Sequence, residues 1–314
     1  MPADLALVTD STAYLPQQAV DRHRISVVPL SVVLGDQVLA EGVEITPKDV
    51  AEALRAKQRL TTSRPNPEAF AAAYRAAAEA GATAVLSIHL SAELSGTAEA
   101  ARLAAAEAPV PVQVVDSHLV GMALGYAVLA AAEARDAGLD PAAAAEAAVR
   151  RSAATSGFFY VDTLEHLRRG GRIGTARALL GSALAVKPLL HLAGGRIEPL
   201  EKVRTAARAI ARLEEIAVER AGEGQVDITV HHLAAEDRAE PLAERLRARV
   251  PGVREVLVGE VGAVIGTHVG PGLLAVVVAP VDPVVPVNPV VPVDPVVPVD
   301  PVVPVVPGNP STAG

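Results

Sequence analysis

Short β-branched or aliphatic runs alternate with Ala-rich stretches of helical character along this chain, and this alternation limits the fold more than any other feature. Apolar runs at residues 84–90 and 112–115 predict buried strands with helices between them. The second half continues with predicted strands at 158–161, 226–231 and 253–258. Alternating strands and helices are typical of parallel sheets with crossover helices. We expect an α/β fold with two lobes, each a largely parallel sheet flanked by helices.

Capping residues mark the first turns of several predicted helices. Thr46-Pro47 and Asn66-Pro67 each combine an N-cap residue with proline at the first helical position. They predict helices that end near Lys57 and Gly81. In the second half, we expect helices between the predicted strand at 158–161 and about Arg220.

The length of 314 residues is typical of about two domains. We place the boundary near Gly157, which gives an N-terminal α/β lobe over residues 1–156 and a C-terminal α/β lobe over 157–280. Ligands of open parallel sheets lie beyond the carboxyl ends of the strands, so two such lobes can share one cleft.

Residues 281–314 form a Val/Pro-rich low-complexity tail. From Asp282 to Val305 it contains four copies of a six-residue unit, with Asn288 in place of Asp once. Proline at every third position favours a polyproline II helix and excludes an α-helix or a central strand. The composition indicates a spacer, and a docking peptide for a proline-binding partner is the alternative.

Composition excludes several classes of function. A formal net charge of −8, only seven aromatic residues and no run of more than two Lys or Arg argue against binding nucleic acid. The absence of Cys excludes disulfides and thiolate chemistry. No secretory signal and no apolar stretch of about 20 residues is visible. We expect a cytoplasmic protein with no membrane span.

Small hydroxyl and acidic residues occupy several junctions between predicted strands and helices. They occur at Asp10-Ser11-Thr12, Thr62-Ser63, Ser91 to Thr97, and Asp116-Ser117. Helix capping explains any one of them taken singly. Together they predict four polar junctions on one edge of one sheet, where helix N-termini can hold an anion.

One histidine, His268, lies in a glycine-rich segment between two apolar runs. Gly266, Gly270 and Gly272 surround it, and we interpret residues 263–272 as a turn. Glycines let backbone amides approach a ligand, and an imidazole can donate a hydrogen bond or carry charge. The segment predicts a small oxyanion site.

Cations occur near predicted turns of the second lobe. Gly170-Gly171 predicts the left-handed end of a short helix, from which Arg172 emerges with a guanidinium able to clamp a carboxylate or phosphate. Lys202 and Arg204 lie further along. The alternative for Arg172, Lys202 and Arg204 is that each side chain is exposed to solvent and has no functional role.

Two catalytic or metal-binding readings fit the sequence poorly. His231 and His232 are adjacent on a predicted strand and point to opposite faces, so they do not chelate one ion. A hydrolase triad of Ser95, His268 and Asp10 lacks the G-x-S-x-G elbow, and no phosphate loop is present. We predict no metal, no cofactor and no catalytic residues.

Seven fragments, in this order, resemble the DegV family of bacterial fatty-acid-binding proteins. The fragments are Val8-Thr9-Asp10-Ser11-Thr12 with Leu15-Pro16, Thr62-Ser63-Arg64-Pro65, Leu94-Ser95-Gly96-Thr97, Val115-Asp116-Ser117, Leu164-Glu165 through Gly170-Gly171-Arg172-Ile173, Lys187-Pro188, and Gly266 through Gly272. The resemblance spans about residues 3 to 280.

The resemblance implies a long-chain fatty acid buried between two α/β lobes, bound by a protein that is not itself an enzyme. Carried over by motif, Thr62, Ser95 and His268 would bind the lipid carboxylate, with His268 as an imidazolium. Some family members present the acid to a separate fatty-acid kinase, which implies that Arg172 handles a phosphoryl group and that Lys202 or Arg204 faces the partner. An esterase that uses Ser95 and His268 is the alternative, and a regulatory adaptor that docks through its tail is a third.

Overall fold

The computed structural model describes residues 4–63, 66–179 and 187–281. Apart from Val281, the predicted Val/Pro tail lies outside the described residues, as do Arg64 and Pro65. Within these ranges the strands are β1 (Leu5–Asp10), β2 (Ile25–Val28), β3 (Ser31–Leu34), β4 (Gln37–Ala40), β5 (Leu60–Thr62), β6 (Ala84–His89), β7 (Val112–Asp116), β8 (Ser156–Tyr160), β9 (Lys187–Ala193), β10 (Arg196–Val203), β11 (Val226–His232), β12 (Val253–Glu260) and β13 (Leu274–Pro280). The α-helices are α1 (Gln17–Arg22), α2 (Pro47–Arg55), α3 (Pro67–Glu79), α4 (Thr97–Ala105), α5 (Met122–Asp136), α6 (Pro141–Ala154), α7 (Glu165–Arg169), α8 (Ala206–Ala221), α9 (Glu236–Arg249) and α10 (Ala263–Val269).

The first sheet is parallel throughout and confirms the predicted α/β class. Its strands lie in the order β2-β1-β6-β7, with Leu7 opposite Ile25 and His89 opposite Asp116. The carboxyl ends of β1, β6 and β7 therefore meet at one edge, and helices connect the strands. Three of the four predicted polar junctions lie along this edge.

The fourth junction, at Thr62, belongs to a separate three-stranded sheet that the sequence analysis did not predict. In this small antiparallel sheet, β3 lies between β4 and β5, and Val32 of β3 is opposite Thr62. Its strands are only three or four residues long, and β4 is largely exposed, so the apolar periodicity that indicates a strand is weak here.

The six-stranded sheet differs from the predicted parallel arrangement. Its order is β10-β9-β8-β13-β11-β12, and of the described pairs only β11 with β12 is parallel. The final strand β13 inserts antiparallel between β8 and β11. The β9–β10 hairpin lies where helices were predicted, and it turns at Gly194 and Gly195, which both have positive φ.

Helix starts agree with the predicted caps. The Thr46 hydroxyl accepts from the N–H of Asp49, and the Asp49 carboxylate accepts from the N–H of Thr46 at 2.9 Å, which completes a capping box on α2. The Asn66 side chain caps α3 through the N–H of Glu68 at 3.0 Å. These local hydrogen bonds explain why both helices begin as predicted.

The segment that carries His268 is a helix, α10, and the predicted turn is wrong. Gly262 lies before its first turn and Gly270 ends it at φ 74°. Gly266, in its middle, faces Leu233 and Val50, and an added Cβ would come within 3.2 Å of the leucine. Gly266 therefore allows α10 to pack closely against its neighbours. From the sequence it was expected to give a turn its conformational freedom.

Helix α5 lies buried between the two larger sheets and joins their cores. It contacts β1 and β6 on one side and β13 on the other. Its residues Met122, Leu124 and Ala127 pack in one cluster with Ile88 and Val277. The two sheets thus share a continuous apolar interior, and the cavity described next opens beside it.

Candidate functional site

A cavity extends from the carboxyl edge of the parallel sheet to the inner face of the six-stranded sheet. Its volume is about 1010 Å³, which includes space open to solvent, and its walls are mainly aliphatic. Alternate residues Leu273, Ala275 and Val277 line it over about 13 Å, from the residue before β13 into that strand. Its polar side chains are Ser31, Thr62, Ser63, Ser95, Arg172, His231 and His268.

Thr62 and His268 meet in this wall. The Thr62 hydroxyl at the end of β5 lies 3.0 Å from Nε2 of His268 on α10, and the two share a hydrogen bond. Both side chains are half-buried. The structure thus brings together two residues that the sequence analysis assigned to one site.

Ser95 lines the same cavity from the loop between β6 and α4. Its hydroxyl shares a 2.9 Å hydrogen bond with the hydroxyl of Thr97, in the first turn of α4. Backbone bonds from Leu94 and Ser95 to the carbonyl of Ser91 fold this loop tightly. Ser95 therefore presents a hydroxyl to the cavity from the parallel-sheet side.

Arg172 lies where the short helix α7 ends. Its Nε donates to the carbonyl of Leu94 at 2.9 Å, and an Nη donates to the carbonyl of Gly170 at 2.7 Å. The first bond ties this cation to the loop that carries Ser95. Arg172 lines the cavity, so a positive charge stands beside the three predicted carboxylate ligands.

The imidazole of His268 is neutral at neutral pH, whereas an imidazolium was expected beside a bound carboxylate. Burial, with a smaller contribution from the nearby Arg172 charge, lowers the pKa of His268 to about 4. A neutral imidazole can still donate one hydrogen bond. Nδ1 of His268 is buried and has no hydrogen-bond partner among the described residues.

Gly170 and Gly171 have different roles. Gly171 has φ 71° and gives the predicted left-handed end to α7. Gly170 has φ −73°, which any residue adopts, but an added Cβ would overlap Nδ1 of His268. The first glycine therefore provides the space for the imidazole, a role that the sequence analysis missed.

His231 forms part of the cavity wall and is not placed to bind a metal. Its Nε2 accepts from the N–H of Met122 at 3.0 Å, and Nδ1 lies 3.1 Å from the carbonyl of Gly259. These bonds fix the neutral form with the proton on Nδ1, and burial lowers its pKa to about 4. Among the described residues, no group of three His, Cys, Asp or Glu is arranged to hold an ion.

The alternative hydrolase triad is not assembled. Asp10 accepts from Leu90 N–H and pairs with Nδ1 of His89, each at 3.0 Å, inside the parallel sheet. Ser95 is bonded to Thr97, and His268 to Thr62. Neither proton relay that a serine nucleophile requires is therefore present between Ser95, His268 and Asp10.

Lys202 and Arg204 lie outside the cavity. Lys202 is on β10, Arg204 follows that strand, and both side chains are exposed. The structure does not bring them to the residues that line the cavity.

Several wall residues escaped the sequence analysis. Leu30 and Ser31 come from the antiparallel sheet, and Phe158 and Phe159 come from β8. Aromatic residues could have been the signal, since the chain has only three Phe and two of them line the cavity.

Within the described ranges, no helix is long and apolar enough to cross a membrane.

Comparison with known proteins gives a consistent result. The family model described as "Uncharacterised protein, DegV family" matches residues 4–281. A DegV domain-containing protein of Streptomyces coelicolor is 64% identical over 279 residues, which is 89% of this chain and 99% of that protein.

Two solved structures share the fold. A DegV family protein of Thermus thermophilus, described by its fatty acid binding, matches with a TM-score of 0.84 and 38% identity over 90% of this chain and 100% of that one. DegV of Bacillus subtilis, described as a fatty acid binding protein, matches with a TM-score of 0.82 and 35% identity over 88% and 99%. Because the family model matches residues 4–281 and a relative is 64% identical over nearly its whole length, this chain belongs to the DegV family.

Proposed function

We propose that this protein binds a long-chain fatty acid, with the carboxylate at Thr62, Ser95 and His268 and the acyl chain in the aliphatic cavity. The observation that carries the proposal is the Thr62–His268 hydrogen bond at one wall of an otherwise apolar cavity. The two solved relatives described above as fatty acid binding support the choice of ligand.

The chemistry of the polar wall suits a carboxylate. Burying this anion against apolar walls is costly unless several donors meet it. When neutral His268 donates through Nε2 to the Thr62 oxygen, the Thr62 hydroxyl is free to donate to the carboxylate, and the Ser95 hydroxyl can donate as well. Arg172 adds a positive charge beside them, which favours the ionised form of the ligand.

The apolar walls suit a long chain. Each buried methylene contributes roughly 0.8 kcal/mol, so an acyl chain supplies most of the affinity and the polar wall supplies orientation. A ligand without a long chain would therefore bind weakly even with a correct head group.

Lipid extraction from the native protein tests the proposal. We expect native mass spectrometry to find one fatty acid per chain, and palmitate or oleate to rebind after delipidation. Ser95→Ala should weaken rebinding. Recovery of no fatty acid, with no rebinding, would refute the proposal. Ester hydrolysis that disappears in Ser95→Ala would instead favour the esterase.

We also propose that the bound acid is presented to a separate fatty-acid kinase. In this role Arg172 and His268 face the phosphoryl group, and exposed Lys202 and Arg204 contact the partner. Phosphorylation of bound palmitate by a purified bacterial fatty-acid kinase tests this step. Lys202→Ala with Arg204→Ala should slow phosphorylation and leave palmitate affinity unchanged, whereas Arg150→Ala on α6 should change neither.

A further inference from the structure

Glu41 is a buried carboxylate that the proposed ligand site does not use. It follows β4 in the antiparallel sheet and is 5% exposed. Its carboxylate accepts hydrogen bonds from the Ser11 hydroxyl, from the Tyr14 hydroxyl at 3.3 Å and from the Val264 N–H at 2.8 Å. Three segments of the chain thus meet at one anion behind the cavity wall.

The bond to Val264 places this anion at the N-terminus of α10. The first N–H groups of a helix have no partner within the helix, and the residue before α10, Gly262, has no side chain to supply one. Glu41 accepts from the second residue of the helix instead. An added Cβ on Gly262 would overlap Oε1 of Glu41, so this glycine leaves the space that the carboxylate occupies.

Helix α10 carries a large part of the cavity wall. Val264, Ile265, His268 and Val269 all line the cavity. His268 lies four residues after Val264, on the same face of a helix of only seven residues. A shift of the N-terminus therefore moves Nε2 of His268 relative to the Thr62 hydroxyl.

We propose that Glu41 is a positioning residue for ligand binding. By fixing the N-terminus of α10 to the antiparallel sheet and to the segment after β1, it holds His268 at hydrogen-bonding distance from Thr62. The effect on affinity rests on the proposed fatty-acid function, whereas the placement of His268 can be measured without any ligand.

The electrostatics of Glu41 favour positioning over stabilisation. Burial raises the pKa of Glu41, and the charge of Asp10 acts in the same direction, while hydrogen bonds from Ser11, Val264 and Tyr14 oppose them. A raised pKa means that the ionised form costs folding free energy. Within the described residues no cation pairs with Glu41 to offset this cost, so its role lies in the three segments that its hydrogen bonds join.

The test compares Glu41→Ala with Glu214→Ala. Glu214 is also buried, at 6% exposed, but pairs with Arg245 and Arg249 between α8 and α9, away from the cavity. The readouts are palmitate affinity by calorimetry and the imidazole ¹⁵N shifts of His268 in the delipidated protein, with His23 as internal reference. We expect Glu41→Ala alone to shift His268 and to weaken palmitate binding at least tenfold.

Unchanged His268 shifts and palmitate affinity within twofold of wild type in Glu41→Ala would overturn the proposal. If Glu41→Ala does not fold, Gly262→Ala takes its place, because its methyl group displaces the Glu41 carboxylate. The His268 shifts and the palmitate affinity of Gly262→Ala then test the proposal in the same way. A wild-type protein that binds no palmitate refutes the proposed function, while the His268 shifts still test the positioning role.

Discussion

The imidazole of His268 rests on Gly170, and a methyl group at that glycine would overlap Nδ1. The contact is reciprocated, since the ring of His166 on α7 rests on Gly270 at the end of α10 in the same way. Each short helix thus places a histidine on the glycine that follows the other. This exchange locks α7 to α10 and sets Arg172 beside His268.

Replacing Gly170 by Ala should weaken fatty-acid binding about tenfold or more, because the imidazole must move away from Thr62. Calorimetry with palmitate measures the effect. The control is Gly171→Ala, whose added Cβ meets nothing within 4 Å but whose φ of 71° is strained for alanine, at a cost of about 1 kcal/mol in stability. Equal palmitate affinity in the two variants would contradict the role assigned to Gly170.

Thr62→Val should lose the hydrogen bond to the carboxylate, together with the bond to His268, while it preserves the shape of the side chain. A hydrogen bond to a charged group is worth about 1.5–3 kcal/mol, so we expect affinity to fall roughly 10- to 100-fold. The neighbouring Thr61 is exposed on β5 and provides the matched control Thr61→Val. An unchanged dissociation constant for Thr62→Val would remove this hydroxyl from the site.

Gly157→Leu should shorten the acyl chain that the cavity accepts. Gly157 on β8 lines the cavity, and an added Cβ would make only an ordinary contact, 3.6 Å from Leu192. A larger side chain therefore projects into the space proposed for the lipid, and Gly157→Ala should have a smaller effect. The readout is affinity for laurate relative to stearate, with exposed Ala153→Leu as control. A ratio unchanged in Gly157→Leu would place the acyl chain elsewhere.

Stability should fall on acidification because the folded protein keeps two histidines neutral. Burial lowers the pKa of His268 and His231 to about 4, against 6.5 for an ordinary histidine. Between these values the unfolded chain binds more protons, so stability is full above pH 6.5 and declines as the pH falls towards 4. Each histidine should cost about 2 kcal/mol at pH 5 relative to neutral pH.

Urea unfolding at pH 7 and pH 5 measures this loss. Wild type should lose about 2 kcal/mol more than His268→Gln over that interval, since glutamine does not titrate. The same comparison applies to His231→Gln. Identical losses in wild type and His268→Gln would show that folding does not lower the pKa of His268.

Local signals predicted much of the fold. The caps at Thr46 and Asn66 and the apolar run of β6 depend on neighbouring residues alone, and each lies where expected. The antiparallel insertion of β13 depends on its partners β8 and β11, which are far away in sequence. Periodicity indicates a strand but not its direction, which explains the incorrect prediction for this sheet.

Prediction of the site was limited in a similar way. Motifs pointed to Thr62, Ser95 and His268, but the neutral state of His268 depends on burial beside Arg172, which no motif encodes. Gly266 and Gly170 were interpreted through backbone freedom, yet both serve contacts with distant residues. The sequence carries no local signal for Glu41, because its partner Val264 is 223 residues away.

The hydrogen bond between Thr62 and His268 joins residues 206 positions apart, and this separation has a consequence for synthesis. On the ribosome, β5 emerges long before α10, so a nascent chain has no complete polar wall until α10 has been synthesised. If the protein binds a fatty acid as proposed, retention of that ligand reports that α10 has docked. A free fatty acid should accordingly raise the yield of folded chains by binding to chains in which α10 has docked.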